Sequence, residues 1–103
     1  MKLIDNETYQ KIEGILYNCL TTNDLNVKKS IESLNNFFKE TDHLYFLQNY
    51  YYRRNLYTNR YPRNSLLFKK ICKDLYIEEP TLYIIKKEVI YKAAMIFYKN
   101  GVI

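Results

Sequence analysis

Only two glycines and two prolines interrupt this chain of 103 residues. Sandwiches and barrels of β-strands need a turn about every 8–12 residues, and those turns are usually built with glycine or proline. The composition therefore favours helices joined by few loops. Because a chain of this length buries roughly two-thirds of its unfolded surface, we expect one small all-α domain.

Apolar residues that recur at helical spacing predict a bundle of about five helices. Capping residues lie at Asp5 and Asn6 and again between positions 21 and 24, ahead of the first two helices. The predicted ranges are 6–20, 24–39, 42–54, a short helix that begins at Asn64 and Ser65, and a last helix from Pro80 to a cap at Asn100 and Gly101. We expect residues 1–41 to form an N-terminal helical pair that packs on residues 42–103, and residues 55–64 to form a loop.

Positive charge is concentrated in the C-terminal part of the chain. Residues 1–41 hold five cations and six anions, whereas residues 42–103 hold eleven cations and five anions. No acidic residue occurs between Leu44 and Lys73. This stretch presents a field of one sign to a polyanion such as nucleic acid. Arginines interleave with tyrosines in it and are candidate nucleic-acid contacts: Arg53, Arg54, Arg60 and Arg63, beside Tyr52, Tyr57 and Tyr61.

The last two predicted helices have the arrangement of a helix-turn-helix. A short helix, a turn at residues 76–78 and a longer helix follow one another. Cys72 provides a small side chain where the second helix crosses the first, and Ile77 provides an apolar residue just after the turn. The aliphatic spacing of Leu82, Ile85, Val89, Ala93 and Ile96 predicts the core face of the longer helix.

The segment ICKDLYIEEPTLYIIKKEVIYKAA, residues 71–94, resembles the C-terminal module of small Gram-positive phage transcription regulators, the RinA-like late-gene activators and the ArpU group. Their pattern is an apolar helix, Leu-x-Ile-Ser-x-x-Thr, an aromatic or His residue, basic residues, and an Ala- or Ile-rich tail. The ending IFYKNG is similar to the ArpU ending, and FLQNYYY resembles the preceding helix of the family. The resemblance covers about residues 42–103. Glu78 stands where the family has Ser or Thr, and Tyr76 where glycine is usual.

By this resemblance, which extends to the DNA-reading region of bacterial sigma factors, the start of the last helix would enter the major groove of DNA. The residues implied for base edges are Glu79, Thr81, Tyr83, Ile84 and Lys87. The residues implied for phosphates are Lys69, Lys70, Lys73 and Lys86, and Lys87 shares in this role. Of the tyrosines, we expect Tyr9, Tyr17 and Tyr51 in the core and Tyr52, Tyr57, Tyr61 and Tyr83 toward a partner.

Several function classes lack support in the sequence. No run of about 18 apolar residues and no signal peptide occurs, so we expect a protein of the bacterial cytoplasm with no membrane partner. His43 is the single histidine, and Cys19 and Cys72 are isolated, so we expect no metal site and no cofactor. No catalytic constellation is present, which argues against an enzyme and against a small-molecule substrate.

The sequence therefore predicts a phage or mobile-element transcription regulator that binds double-stranded promoter DNA, in the role of a late-gene activator. RNA polymerase and a second copy of the chain are further candidate partners. The alternative is a small interaction protein that inhibits a host or rival protein through the same fold, with Glu78, Glu79 and the tyrosine-rich loop as its interface. A helical immunity or antitoxin-type protein is a third option.

Overall fold

A computed structural model describes residues 4–52 and 64–103 of the chain, and this part is all-α. The described residues contain five helices and no strand, which confirms the predicted class. The helices are α1 (Asn6–Asn18), α2 (Leu25–Phe37), α3 (Asp42–Phe46, continued by a π-helix over Leu47–Tyr52), α4 (Asn64–Leu75) and α5 (Glu79–Lys99). The predicted loop at 55–64 lies almost wholly outside the described residues.

The first two helices begin at aspartate caps and end earlier than predicted. The Asp5 carboxylate accepts a hydrogen bond from the backbone N–H of Thr8 at 2.7 Å. Asp24 accepts two such bonds at 2.8 and 3.2 Å, so both caps satisfy backbone donors that have no partner inside the helix. Because α1 ends at Asn18 and not at the predicted residue 20, Leu20 lies beyond the helix and is 67% exposed.

The third helix differs from its prediction because it widens after one turn. It is α-helical only over Asp42–Phe46 and continues as a π-helix, whose hydrogen bonds span five residues instead of four. Three consecutive tyrosines of this segment are buried. Tyr52, which we expected to face a partner, donates its hydroxyl hydrogen bond to Asn35 on α2 at 2.8 Å. That expectation is wrong, because the wide turn directs Tyr52 into the bundle.

One hydrophobic core contains residues from all five helices, so α1 and α2 share it with the later helices. Helix α5 buries Leu82, Ile85, Val89 and Ala93 of the predicted stripe, and Ile96 is only partly buried. The end of α5 is fixed to α2, since the Asn100 amide donates to the Ser30 hydroxyl at 2.8 Å.

Helices α4 and α5 both end in the same backbone motif. The N–H of Ile77 donates to the carbonyl of Cys72 at 3.1 Å, and that of Val102 donates to Phe97 at 2.8 Å. This is the hydrogen-bond pattern of a Schellman cap, which needs a left-handed residue at its turn. In α5 that residue is Gly101, as predicted, with φ of 73°. In α4 it is Tyr76, with φ of 57° and a side chain that is 95% exposed.

Replacing Tyr76 with glycine is expected to raise the free energy of unfolding by about 0.5–1 kcal/mol. Glycine adopts a positive φ without the steric cost that a side chain incurs, and the lost side chain makes little contact with the fold. Urea denaturation of the two proteins measures the difference. Tyr76→Ala is the matched control, since alanine keeps the left-handed strain and should give no gain. An equal gain in both variants would contradict a backbone origin.

Candidate nucleic-acid interface

The first turns of α5 present one outward face. Leu82 and Ile85 are buried and hold the helix against the core, which leaves the side chains at 83, 84 and 87 on the opposite side. Tyr83 and Ile84 are each 59% exposed, and Lys87 and Thr81 are exposed with them. Four residues implied for base contact are therefore available to a partner. The Tyr83 ring also packs on Phe68 of α4, with centroids 4.5 Å apart, which restricts its motion.

The N-terminus of α5 is acidic and has a weak cap. Glu78 occupies the cap position in extended backbone, and its carboxylate accepts no capping hydrogen bond. Glu79, also exposed, follows in the first turn. Negative charge at this end stabilises the helix dipole, but it also opposes the approach of a phosphate to the same backbone amides.

Three of the predicted lysines are exposed on α4 and α5. They are Lys69, Lys73 and Lys87, and within residues 4–52 and 64–103 none of them has a carboxylate oxygen within 4.0 Å. The Lys87 ammonium lies 5.9 Å from the centroid of the Tyr91 ring, a weak cation–π contact that leaves the charge accessible. These three cations are the strongest candidates for phosphate contact.

Lys70 is engaged in an ion pair. Its ammonium contacts the carboxylate of Asp74, one turn later on α4. The Tyr45 hydroxyl donates a second hydrogen bond to that carboxylate at 2.6 Å. The bonds from Lys70 and Tyr45 hold the pKa of Asp74 below its usual value. Asp74 therefore offsets the charge of Lys70, and the role of Lys70 at a phosphate stays a prediction.

Lys86 is largely buried and pairs with a carboxylate, and its role at a phosphate stays a prediction. Its side chain is 20% exposed, with the ammonium 3.8 Å from the Glu13 carboxylate and 5.5 Å from the Tyr50 ring centroid. Tyr51 donates its hydroxyl hydrogen bond to the same carboxylate at 2.8 Å. Burial, with the charge of Glu13 as the next cause, raises the pKa of Tyr51 far above its ordinary value. Lys86 thus neutralises a carboxylate between α1 and α5.

Arg53, Arg54, Arg60 and Arg63 lie outside the described residues, together with Tyr57 and Tyr61. Their role in nucleic-acid contact stays a prediction.

A groove of about 380 Å³ lies between the start of α1 and the exposed side of α5, and the sequence did not predict it. Helix α5 contributes Tyr83, Lys86, Lys87, Ile90 and Tyr91, and the α1 side contributes Ile4 and Tyr9. The α5 residues follow the spacing i, i+3, i+4, i+7 and i+8, which places them on one continuous helix face. That spacing is visible in the sequence. The opposite wall of the groove, formed by Ile4 and Tyr9, depends on how α1 packs against α5, which the spacing does not predict.

Metal and membrane sites are not found in the described part of the chain. Residues 4–52 and 64–103 contain no group of three or more His, Cys, Asp or Glu side chains able to hold a metal ion. Within the same ranges no helix is both long and apolar enough to cross a bilayer. Cys19 and Cys72 are buried thiols, and burial raises the pKa of Cys19 to about 11. His43 stacks on Phe38, with ring centroids 4.7 Å apart.

Comparison of the chain with protein-family models, with curated proteins and with solved structures finds no match. The resemblance of residues 42–103 to phage transcription regulators therefore stays a prediction.

Proposed function

We propose that this protein is a transcription regulator that binds duplex DNA with a helix-turn-helix formed by α4, the turn at 76–78, and α5. The observation that carries the proposal is the accessible surface of these two helices. The first turns of α5 present exposed polar and apolar side chains. Three exposed lysines, Lys69 and Lys73 on α4 and Lys87 on α5, have no ion-pair partner among the described residues. This combination supplies both phosphate contacts and base contacts.

The contacts divide by chemistry. The three lysines neutralise phosphates and set the register of the protein on the duplex. Thr81 and Tyr83 offer hydroxyl groups for hydrogen bonds to base edges, and Ile84 offers an apolar contact for the methyl group of thymine. Tyr83 is the best positioned of these, because its packing on Phe68 fixes the ring before DNA arrives.

In this proposal the bound protein activates late phage genes by recruiting RNA polymerase to the promoter. A reporter fused to promoters near the protein's own gene measures this activation. Expression of the protein should raise reporter output. The same output from the Tyr83→Ala variant would contradict a role for this face.

Titration of duplex DNA at several salt concentrations tests the proposal. Fluorescence anisotropy should give affinity that falls with salt, with a log–log slope of about −3, because three lysines release close to one counterion each. Fragments from the genomic neighbourhood of the gene should bind more tightly than unrelated duplexes. Absence of duplex binding at low salt would overturn the proposal.

Replacing Glu78 and Glu79 together with glutamine is expected to strengthen DNA binding by about three- to tenfold at low salt. Both carboxylates are exposed at the end of α5 that approaches the phosphates, so their removal lowers repulsion. The change is measured by anisotropy with one duplex. The matched control is Glu7→Gln with Glu32→Gln on α1 and α2, which changes net charge equally. An equal gain in the control would contradict the placement of DNA at α5.

A protein partner is the second candidate, and the acidic, aromatic corner beside the turn favours it. Tyr76 is 95% exposed in a strained backbone conformation, and Glu78, Glu79 and Pro80 are exposed next to it. Tyrosine anchors with a charged rim are typical of protein interfaces. If this candidate is right, no duplex binds, and Tyr76→Ala with Glu79→Gln abolishes inhibition of the partner without loss of folding.

A further inference from the structure

The groove between α1 and α5 has the dimensions and the lining of a small-ligand site. Its volume of about 380 Å³ falls within the usual range for ligand pockets, roughly 300–1,000 Å³. Ile90, which is 1% exposed, contributes apolar surface at its base together with Ile4. Tyr9, Tyr83 and Tyr91 add three aromatic rings.

The charge of the groove is positive. Lys86 and Lys87 line it, and no carboxylate does so among the described residues. Glu13 pairs with Lys86 at 3.8 Å and accepts the hydrogen bond of Tyr51, so the positive charge left to the groove is that of Lys87. The Tyr9 hydroxyl is protonated at neutral pH, as any ordinary phenol is, and offers a hydrogen-bond donor at the α1 wall of the groove. Aromatic rings recognise a flat ring by stacking, and the Lys87 ammonium, which has no carboxylate oxygen within 4.0 Å among the described residues, recognises an anion.

We propose that this groove binds a free, planar aromatic anion of the size of a mononucleotide, and that the bound ligand weakens the binding of DNA. The first half of this proposal, the binding of the ligand (the ligand half), rests on the residues that line the groove. The second half is the effect on DNA binding (the regulatory half). The regulatory half rests on the proposed function, since Tyr83 and Lys87 belong both to the groove and to the face assigned to DNA. A ligand that holds these two side chains removes one phosphate contact and the best positioned base contact.

Titration of the whole chain with AMP tests the ligand half without DNA. We expect a Kd on the order of 0.1–1 mM by nuclear magnetic resonance, with amide shifts concentrated at positions 9, 83, 87 and 91. Adenosine and ribose 5-phosphate carry the ring and the anion separately, and each should bind at least tenfold more weakly than AMP. Absence of saturable shifts with AMP, or equal affinity for adenosine, would overturn the ligand half.

Two variants locate the site. Lys87→Gln and Tyr91→Ala should each weaken AMP about tenfold, because each removes one recognition element. Lys73→Gln and Tyr98→Ala are the matched controls, since both residues are exposed and lie outside the groove. Equal loss in the controls would overturn the assignment of AMP to this groove.

Competition tests the regulatory half. Saturating AMP should weaken binding of a duplex about tenfold at constant ionic strength, while ribose 5-phosphate at the same concentration should not. Unchanged DNA affinity with AMP bound would overturn the competition. If no duplex binds in any condition, the proposed function fails, and the AMP titration alone still decides whether the groove is a ligand site.

Discussion

Replacing Tyr51 with alanine is expected to lower the free energy of unfolding by about 3–5 kcal/mol. Tyr51 is fully buried on the π-helix and packs against aromatic rings of α1 and α3. Its ring centroid lies 5.0 Å from that of Tyr17 and 5.7 Å from that of Phe46. Truncation leaves a large cavity at the point where α1, α3 and α5 meet, and the rigid helices around it cannot collapse to fill it.

The Tyr51→Phe variant measures the contribution of the hydroxyl group to stability apart from that of the ring. The variant keeps the packing but leaves the Glu13 carboxylate with Lys86 as its remaining described partner, at 3.8 Å. Loss of this hydrogen bond to a partly buried carboxylate should lower the free energy of unfolding by about 1–3 kcal/mol, which is less than the effect of removing the whole ring. Urea denaturation followed by circular dichroism measures both variants. A loss below about 1 kcal/mol in Tyr51→Ala would contradict the central place of this residue in the core.

Replacing Lys69, Lys73 and Lys87 together with glutamine is expected to weaken duplex binding about 100-fold at low salt and to reduce the salt slope by about 3. The loss should be similar for specific and unrelated sequences, because phosphate contacts carry no sequence information. Folding should be little affected, since exposed lysines without ion pairs contribute little to stability.

The matched control changes the same number of charges at a different surface. Lys28, Lys29 and Lys39 are exposed on and just after α2, and their replacement with glutamine lowers the net charge equally. This control should lose less than about fivefold in affinity. Equal losses in the two triple variants would show that net charge, and not the α4–α5 surface, governs binding.

Local signals in the sequence were sufficient for most of the fold. The predicted bounds of α1, α2 and α5 lie within about two residues of the observed bounds. The signals that located them are the aspartate caps, the apolar spacing, Pro80 in the first turn of α5 and Gly101 at its end. These signals work because caps and turns depend on the backbone of a few neighbouring residues. The π-helix was not predicted, since three consecutive tyrosines fit an α-helix equally well by spacing.

The candidate site was predicted only in part, because side-chain partners distant in sequence decide which lysines are accessible. Lys87 and Lys86 are neighbours in the chain, yet one faces outward and the other pairs with Glu13 of α1. No helical period specifies such a partner. Burial of Tyr52 also depends on a distant partner, since Asn35 of α2 accepts the hydrogen bond of its hydroxyl. The groove depends in the same way on the packing of α1.

The most direct test of the central claim is the footprint of duplex DNA on the folded protein by amide chemical shifts. If α4 and α5 bind DNA, addition of a duplex at low salt should shift the amides of Lys69, Lys73, Thr81, Ile84 and Lys87 and leave those of α2 at positions 25–37 largely unchanged. Saturable shifts that cluster on α2, or no shifts at any position, would contradict the account.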